Sequence, residues 1–174
     1  STPGSYVTTI SGAFGDAGDI TVNVLTSNQV DITATVPQSL TFSISDTSIS
    51  FGTLSAVAAR YASGTASGDT SEIEAHNVIV GTNASNGYTM TVGGSTLTSG
   101  ANTITAIGAS NTSSSVGTEQ FGLRMTAAGG SGTVSAPYAA AGFAFDSGAF
   151  PDAIATASGA SANTTYSARY IANI

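Results

Sequence analysis

The chain contains no cysteine, lysine or tryptophan among its 174 residues, and only 7% of its residues are charged. Without cysteine it forms no disulfide, and without lysine it forms no Lys–Asn isopeptide cross-link. Arg60, Arg124 and Arg169 are its only strong cations, and the net charge is −7. Because these cations could hardly neutralise a phosphate backbone, we expect no nucleic-acid binding.

Long apolar runs are also missing from the sequence. No stretch approaches the ~20 apolar residues of a transmembrane helix, so we expect no membrane span. The chain starts at Ser1 without a methionine, which we interpret as a mature extracellular or cell-surface product that has lost its signal peptide. The hydrophobic fraction of 41% is sufficient for a folded core rather than a disordered chain.

Residue types that carry catalysis or bind metals are sparse. His76 is the single histidine, and we expect it on a strand, solvent-facing or partly buried, without an acid–base role. No G-x-S-x-G motif is present. We predict a protein that is not an enzyme, with no catalytic residue, no cofactor and no metal. A calcium site is the alternative, because turn carboxylates suit calcium. The carboxylates concerned are Asp16 with Asp19, and Asp69 with Glu72 and Glu74.

The sequence from Val30 to Leu54 alternates apolar and polar residues with the period of a β-strand. It predicts three short strands, at 32–36, 40–44 and 49–51. Similar runs predict further strands at 6–10, 20–25, 78–80, 88–92, 102–107, 120–126, 142–145 and 164–174. The Asn86-Gly87 pair suits a tight turn, so we predict a hairpin over 72–92. Residues 55–61 favour a single helical turn.

Many short strands between polar turns are typical of a sandwich. We therefore predict an all-β fold, an Ig-like or jelly-roll-type antiparallel β-sandwich. Seven residues on the inward faces of the strands are expected to be mostly buried in its core. They are Leu40, Phe42, Phe51, Tyr88, Met90, Phe121 and Leu123.

The alternating strand, the polar turn and the residues S-F-G-T-L at 50–54 resemble the opening of spore coat U-type pilus subunits. They are also similar to β-rich surface proteins that polymerise by strand exchange. A weaker point of resemblance is F-G-L-R-M at 121–125. This resemblance implies a sandwich completed by a strand from a neighbouring, identical subunit. It implies a structural function, as the subunit of an extracellular pilus or fibre that polymerises head-to-tail by donor-strand complementation.

The N-terminal run is the candidate donor strand. Tyr6, Thr8 and Ile10 share one face of it, and Val7 and Thr9 share the other. We expect residues 1–13 to form this strand and residues 14–174 to form a single sandwich domain. A sandwich that lacks a strand has unpaired backbone groups and an open apolar groove, and an added strand satisfies both. The alternative is that residues 1–13 are the first strand of their own sheet.

A second class of function stays open, a secreted or cell-surface Ig-like binding module such as an adhesin or glycan-binding domain. It predicts exposed aromatic residues on a platform of loops, with Tyr138, Phe143 and Phe150 as candidates. Three N-x-S/T sequons lie in predicted turns or loops, where covalent glycans can be attached. The candidate glycosylation sites are Asn83, Asn111 and Asn163.

Overall fold

The computed structural model describes residues 2–11, 13, 17–24 and 32–174. These residues form strands, turns and extended segments, with no helix among them. The chain divides into two compact units, Ser1–Val36 and Pro37–Ile174. Several antiparallel sheets pack together, which confirms the predicted all-β, sandwich-like class. Completion of the sandwich by a neighbouring subunit stays a prediction.

The first unit contains an antiparallel hairpin of β1 (Gly4–Ser11) and β2 (Ala17–Val24). Its register runs from the pair Gly4 and Val24 to the pair Ser11 and Ala17. The alternating runs at 6–10 and 20–25 predicted both strands. The candidate donor strand is thus paired within its own chain in this structure. The compact units divide after Val36, whereas we expected a boundary after residue 13.

The second unit contains twelve strands in its described residues. Seven of them pair within one large sheet. The twelve strands are β3 (Leu40–Ile44), β4 (Arg60–Tyr61), β5 (His76–Thr82), β6 (Tyr88–Val92), β7 (Thr98–Ser99), β8 (Asn102–Thr103), β9 (Gly108–Thr112), β10 (Gln120–Gly129), β11 (Thr133–Val134), β12 (Phe143–Phe145), β13 (Asp152–Ala157) and β14 (Ser161–Asn173).

The large sheet has the strand order β3-β5-β14-β10-β12-β9, and β4 also pairs with β14. The opposing sheet has the order β11-β13-β6, and β7 and β8 form a separate ribbon. β14 occupies the centre of the large sheet, between β5 and β10. Its inward residues Tyr166, Ala168 and Ala172 are completely buried, so this strand lies at the centre of the core.

Two short links join the sheets at the same end of the molecule. Residues 83–87 lead from β5 to β6, and residues 158–160 lead from β13 to β14. At this end Thr82 pairs with Ser161 in one sheet, and Tyr88 pairs with Ala157 in the other. Because short links do not cross, β6 lies over β5 and β13 lies over β14. β11 lies against β10, which continues the same order.

The prediction of a hairpin over 72–92 is therefore wrong. β5 and β6 do form, and Gly87 adopts a positive φ of 68° in the link between them. A Cβ atom at this glycine would lie 1.8 Å from the carbonyl oxygen of Ala157, so only glycine fits there. The chain uses this turn to cross to the opposing sheet. Alternation and turn residues predict strands, but they do not reveal to which sheet the next strand belongs.

The predicted core is partly confirmed. Phe51, Phe121 and Leu123 are buried, and Tyr88 and Met90 pack against them half-buried. The prediction is wrong for the two residues of β3 that it included. Leu40 is 63% exposed and Phe42 is 60% exposed. Their alternation is that of a half-buried strand, but no described strand of residues 37–174 lies over them.

Two further local predictions are wrong. Residues 32–36 contain no strand, and Ile32 and Val36 are exposed. Residues 55–61 contain turns and a bridge between Ser55 and Ala58 instead of a helical turn. The Ser55 hydroxyl accepts a hydrogen bond from the backbone N–H of Val57 at 3.2 Å. This local bond favours a turn over a helix.

Candidate assembly site

β3 is an edge strand of the large sheet, and among the described residues it pairs only with β5. Just beyond it, the backbone N–H of Ser45 donates to the carbonyl oxygen of Asn77 at 2.9 Å. Bonded pairs alternate along an antiparallel ladder, so the odd-numbered residues of β3 bond to β5. The N–H and C=O groups of Leu40, Phe42 and Ile44 consequently point towards the free edge.

The side chains of Leu40, Phe42 and Ile44 lie on the core side of the large sheet. Residues directly opposite each other in a ladder share a face, and the register places these three opposite buried residues of β5. Leu40, Phe42 and Ile44 are nevertheless 63%, 60% and 42% exposed. We call this triplet the open face. The buried partners on β5 are Thr82, Val80 and Val78.

The opposing sheet ends at β6, which pairs on one side with β13. Tyr88, Met90 and Val92 of β6 point inward, whereas Thr89 and Thr91 are exposed. Since β6 lies over β5, the next position in its sheet lies over β3. No strand of the described residues 37–174 occupies that position. The opposing sheet is therefore narrower than the large sheet at the β3 edge, and the open face is the part left uncovered.

The hairpin of β1 and β2 has one apolar and one mainly polar face. The register pairs Tyr6 with Val22, Thr8 with Ile20 and Ile10 with Gly18, so these residues share a face. On the other face, Thr9 Oγ1 donates to Asp19 Oδ1 at 2.6 Å. The apolar side chains of the first face are 44–55% exposed. We call them the hairpin apolar face, which consists of Tyr6, Ile10, Ile20 and Val22.

The candidate glycosylation sites are all exposed, but only one of them lies outside a strand. Asn83 follows β5, and its side chain donates to the carbonyl oxygen of Pro37 at 2.9 Å. Asn111 lies in β9 and Asn163 lies in β14, so the prediction of loops is wrong for these two. Runs rich in Asn, Ser and Thr are typical of turns, but here they also form the solvent-exposed faces of strands.

Where the structure describes them, the acidic groups considered for calcium have partners within the chain. Asp16 lies outside the described residues, and Asp69 Oδ1 accepts the backbone N–H of Ser71 at 2.8 Å. Glu72 forms ion pairs with Arg124 and Arg169. Within the part of the chain that the structure describes, no three acidic, histidine or cysteine side chains come together as metal ligands. The described carboxylates of Asp69 and Glu72 are thus engaged within the chain.

The aromatic platform expected of a binding module is not formed by its candidates. Tyr138 and Phe143 are buried, and Phe150 is half-buried against Phe145 with ring centroids 5.0 Å apart. The Tyr138 hydroxyl donates to Asp152 Oδ2 at 2.7 Å. The prediction of exposure is wrong because strands form within residues 127–162 and all three rings pack against other parts of the fold.

His76 is buried at the start of β5, not solvent-facing, and its Nε2 lies 2.9 Å from the Tyr170 hydroxyl. Burial lowers the pKa of His76, and it outweighs the opposing effects of the Asn77 backbone and of the carboxylates of Asp46 and Glu74. Burial also raises the pKa of Tyr170 to about 12. Both side chains are therefore neutral at pH 7, and the pair contributes to the core rather than to an exposed site.

We expect His76 to make the fold sensitive to acid. Its folded-state pKa lies below the ordinary value of 6.5, so the unfolded chain binds the proton more readily. The free energy of unfolding should fall as the pH drops below about 6.5, until His76 is protonated in the folded state as well. Denaturant titrations at pH 7.5 and 5.5 measure this, with His76→Gln as the control. An equal loss of stability in that variant would contradict the assignment.

Comparison with protein-family models, with curated proteins and with solved structures finds no match for this chain. None of the described residues forms a helix long and apolar enough to cross a membrane.

Proposed function

We propose that this chain is the structural subunit of an extracellular, cell-surface filament, assembled from identical copies by β-strand complementation. The observation that carries the proposal is the open face, formed by three apolar side chains on the core side of an edge strand. A monomeric protein gains nothing from leaving Leu40 and Phe42 exposed beside a free sheet edge, which invites pairing with another chain. The candidate donor segment includes Tyr6, Val7, Thr8, Thr9 and Ile10.

An added strand would stabilise this end of the sandwich in two ways. It would bury apolar surface of the open face, at about 25 cal/mol per Å² removed from water. It would also extend the ladder of β6, where each backbone hydrogen bond contributes a net of about 0.5–1.5 kcal/mol. Neither contribution needs a disulfide or an isopeptide bond, which suits a chain without cysteine and lysine.

The donor and the acceptor are different surfaces of one chain, so their contact is heterologous. Repetition of a heterologous contact that does not close into a ring generates an open filament. Each copy would give its N-terminal segment to one neighbour and accept that of another. Covalent glycans at the exposed sequons Asn83, Asn111 and Asn163 would face solvent and are part of the same proposal.

The proposal is tested by electron microscopy of the purified protein and of two variants of β1. Ile10→Asp places a carboxylate on the hairpin apolar face and should abolish filaments, because burying an unpaired charge is costly. Val7→Asp adds the same charge to the opposite face and serves as the matched control, with filaments retained. Filaments of Ile10→Asp equal to those of the unmodified protein would refute the proposed donor segment.

Salt should promote assembly. The subunit carries a net charge of −7, and its three arginines are engaged within the chain. Arg124 and Arg169 pair with Glu72, and Arg60 donates to the carbonyl oxygen of Phe51 at 3.0 Å. Identical subunits with this net negative charge therefore repel one another. Salt screens this repulsion beyond ~10 Å at 0.1 M.

The measurement is the concentration of unassembled protein left after centrifugation at low and physiological ionic strength. We expect less unassembled protein at the higher ionic strength. More unassembled protein there would indicate that ion pairs between subunits dominate the interface instead of apolar burial and backbone pairing. Unfolding measured at both salt concentrations separates effects on assembly from effects on the fold.

A further inference from the structure

We infer that the donated element is the whole β1–β2 hairpin, transferred intact to the open face of a second copy. The inference rests on the proposed function and deepens it, because strand complementation alone requires only β1. Three features carry it: the division of the hairpin apolar face between the two strands, the presence of two free edges at the acceptor, and the arrangement of charge.

The hairpin apolar face is built equally by both strands. Tyr6 and Ile10 come from β1, and Ile20 and Val22 come from β2. Donation of β1 alone would break a ladder of eight residue pairs and leave the apolar side chains of β2 without their neighbours. Donation of the hairpin keeps this ladder and covers the open face with four apolar side chains instead of two. An isolated two-stranded hairpin is marginally stable in water, so its strands gain by packing together.

The acceptor has room for two strands, because both sheets end there with a free edge. A strand that extends the sheet beyond β6 lies over β3. A second strand in the same layer lies beyond β3 and above its free edge, because stacked sheets are ~10 Å apart. One donated strand would leave this edge of β3 at the rim of the sandwich, open for further pairing. The second strand of a two-stranded insert overhangs that edge and shields it.

Charge and shape agree with this arrangement. Neither the open face nor the hairpin apolar face contains a charged residue, although the chain carries a net charge of −7. Asp19, the charged residue of the described part of the hairpin, lies on the opposite face with Thr9. Gly18 lies beside Ile10 on the apolar face, and a Cβ atom there would meet nothing within 4 Å. This gap can receive a large side chain such as that of Phe42.

The occupant is a second copy because one chain carries both uncovered surfaces. The open face and the hairpin apolar face are both exposed in the same molecule. The open face lacks a covering strand, and the hairpin offers strands whose apolar face is uncovered. A contact between copies removes both from water and repeats from subunit to subunit. An unrelated partner would cover only one of them.

The inference is tested on the full chain with one engineered disulfide. Val7 and Thr21 are a cross-strand pair on the face opposite the hairpin apolar face. Cross-strand Cα atoms are ~4.5–5.5 Å apart, within the range of a disulfide. The chain has no cysteine of its own, so Val7→Cys with Thr21→Cys introduces a single bridge. The same protein kept reduced is the matched control, and the unmodified chain shows whether filaments form at all.

If the hairpin is donated intact, the oxidised variant assembles, with an unassembled concentration within about twofold of the reduced form, since the bridge holds a conformation already present. If β1 must leave β2, the oxidised variant stays unassembled and reduction restores filaments. That result overturns the inference but leaves the proposed function standing. Absence of filaments in the unmodified chain overturns both.

Hydrogen exchange on filaments of the unmodified chain tests the same inference without the engineered bridge. Donation of the hairpin predicts that the backbone amides of β1 and β2 are both more protected in filaments than in unassembled subunits. Donation of β1 alone predicts protection of β1 with loss of protection in β2, which would overturn the inference even if the cysteine variant fails to assemble in either state.

Discussion

Truncation of Phe145 to alanine should lower the free energy of unfolding by about 3–5 kcal/mol, which would leave little of the stability of a typical domain. Phe145 is buried in β12, with its ring 4.7 Å from that of Phe121 and 5.0 Å from that of Phe150, both edge to face. Its removal deletes apolar contacts and leaves a cavity that the neighbouring strands fill incompletely.

The matched control is the same truncation in β3. Phe42→Ala should change the free energy of unfolding of unassembled subunits by no more than about 0.5 kcal/mol, because the side chain is 60% exposed. Denaturant unfolding under conditions that prevent assembly measures both values. Similar losses in the two variants would show that Phe42 is covered within the monomer, and the open face would then not exist.

Two assembly-deficient variants should rescue each other, but only to a dimer. Ile10→Asp removes the donor surface and keeps the open face, whereas Phe42→Asp removes the open face and keeps the donor. Each variant alone should stay monomeric, because an unpaired carboxylate buried in the contact costs about 3 kcal/mol or more, roughly 100-fold in affinity. A mixture retains one intact donor and one intact acceptor, so it should form a 1:1 complex that cannot grow.

Sedimentation measures the mass of each variant and of the mixture. The control replaces one partner with a chain that carries both substitutions, which should not pair with Ile10→Asp because that mixture contains no intact donor. Monomers in the first mixture would contradict the assignment of donor and acceptor. Long polymers of either single variant would contradict it as well.

The sequence predicted most strands because alternation is a local signal. The run at 164–174 and the buried side chains of 121–125 lie where the pattern places them, in β14 and β10. The pairing of strands was harder to predict. β5 and β6 are separated by a turn suited to a hairpin, yet they join opposing sheets, because contacts distant in sequence decide the layer of each strand.

The candidate site illustrates the same limit. The alternation of Leu40, Phe42 and Ile44 predicts one apolar face, but whether another layer covers that face depends on the number of strands in the opposing sheet. The hairpin was half-predicted: Tyr6–Ile10 was identified as an apolar strand, while the contribution of Ile20 and Val22 to the same face follows only from the register. The strand position of His76 was predicted, but the extent of its burial depends on a partner such as Tyr170, 94 positions away in sequence.

The position of β14 also determines when the sheet can form during synthesis. β5 and β10 have no ladder with each other, since both pair with β14, which spans Ser161–Asn173. Until these residues have left the ribosome, the two halves of the large sheet have no strand between them. Contacts so distant in sequence are slow to form. The large sheet should therefore close only after β14 has been synthesised, whatever the order in which its other strands form.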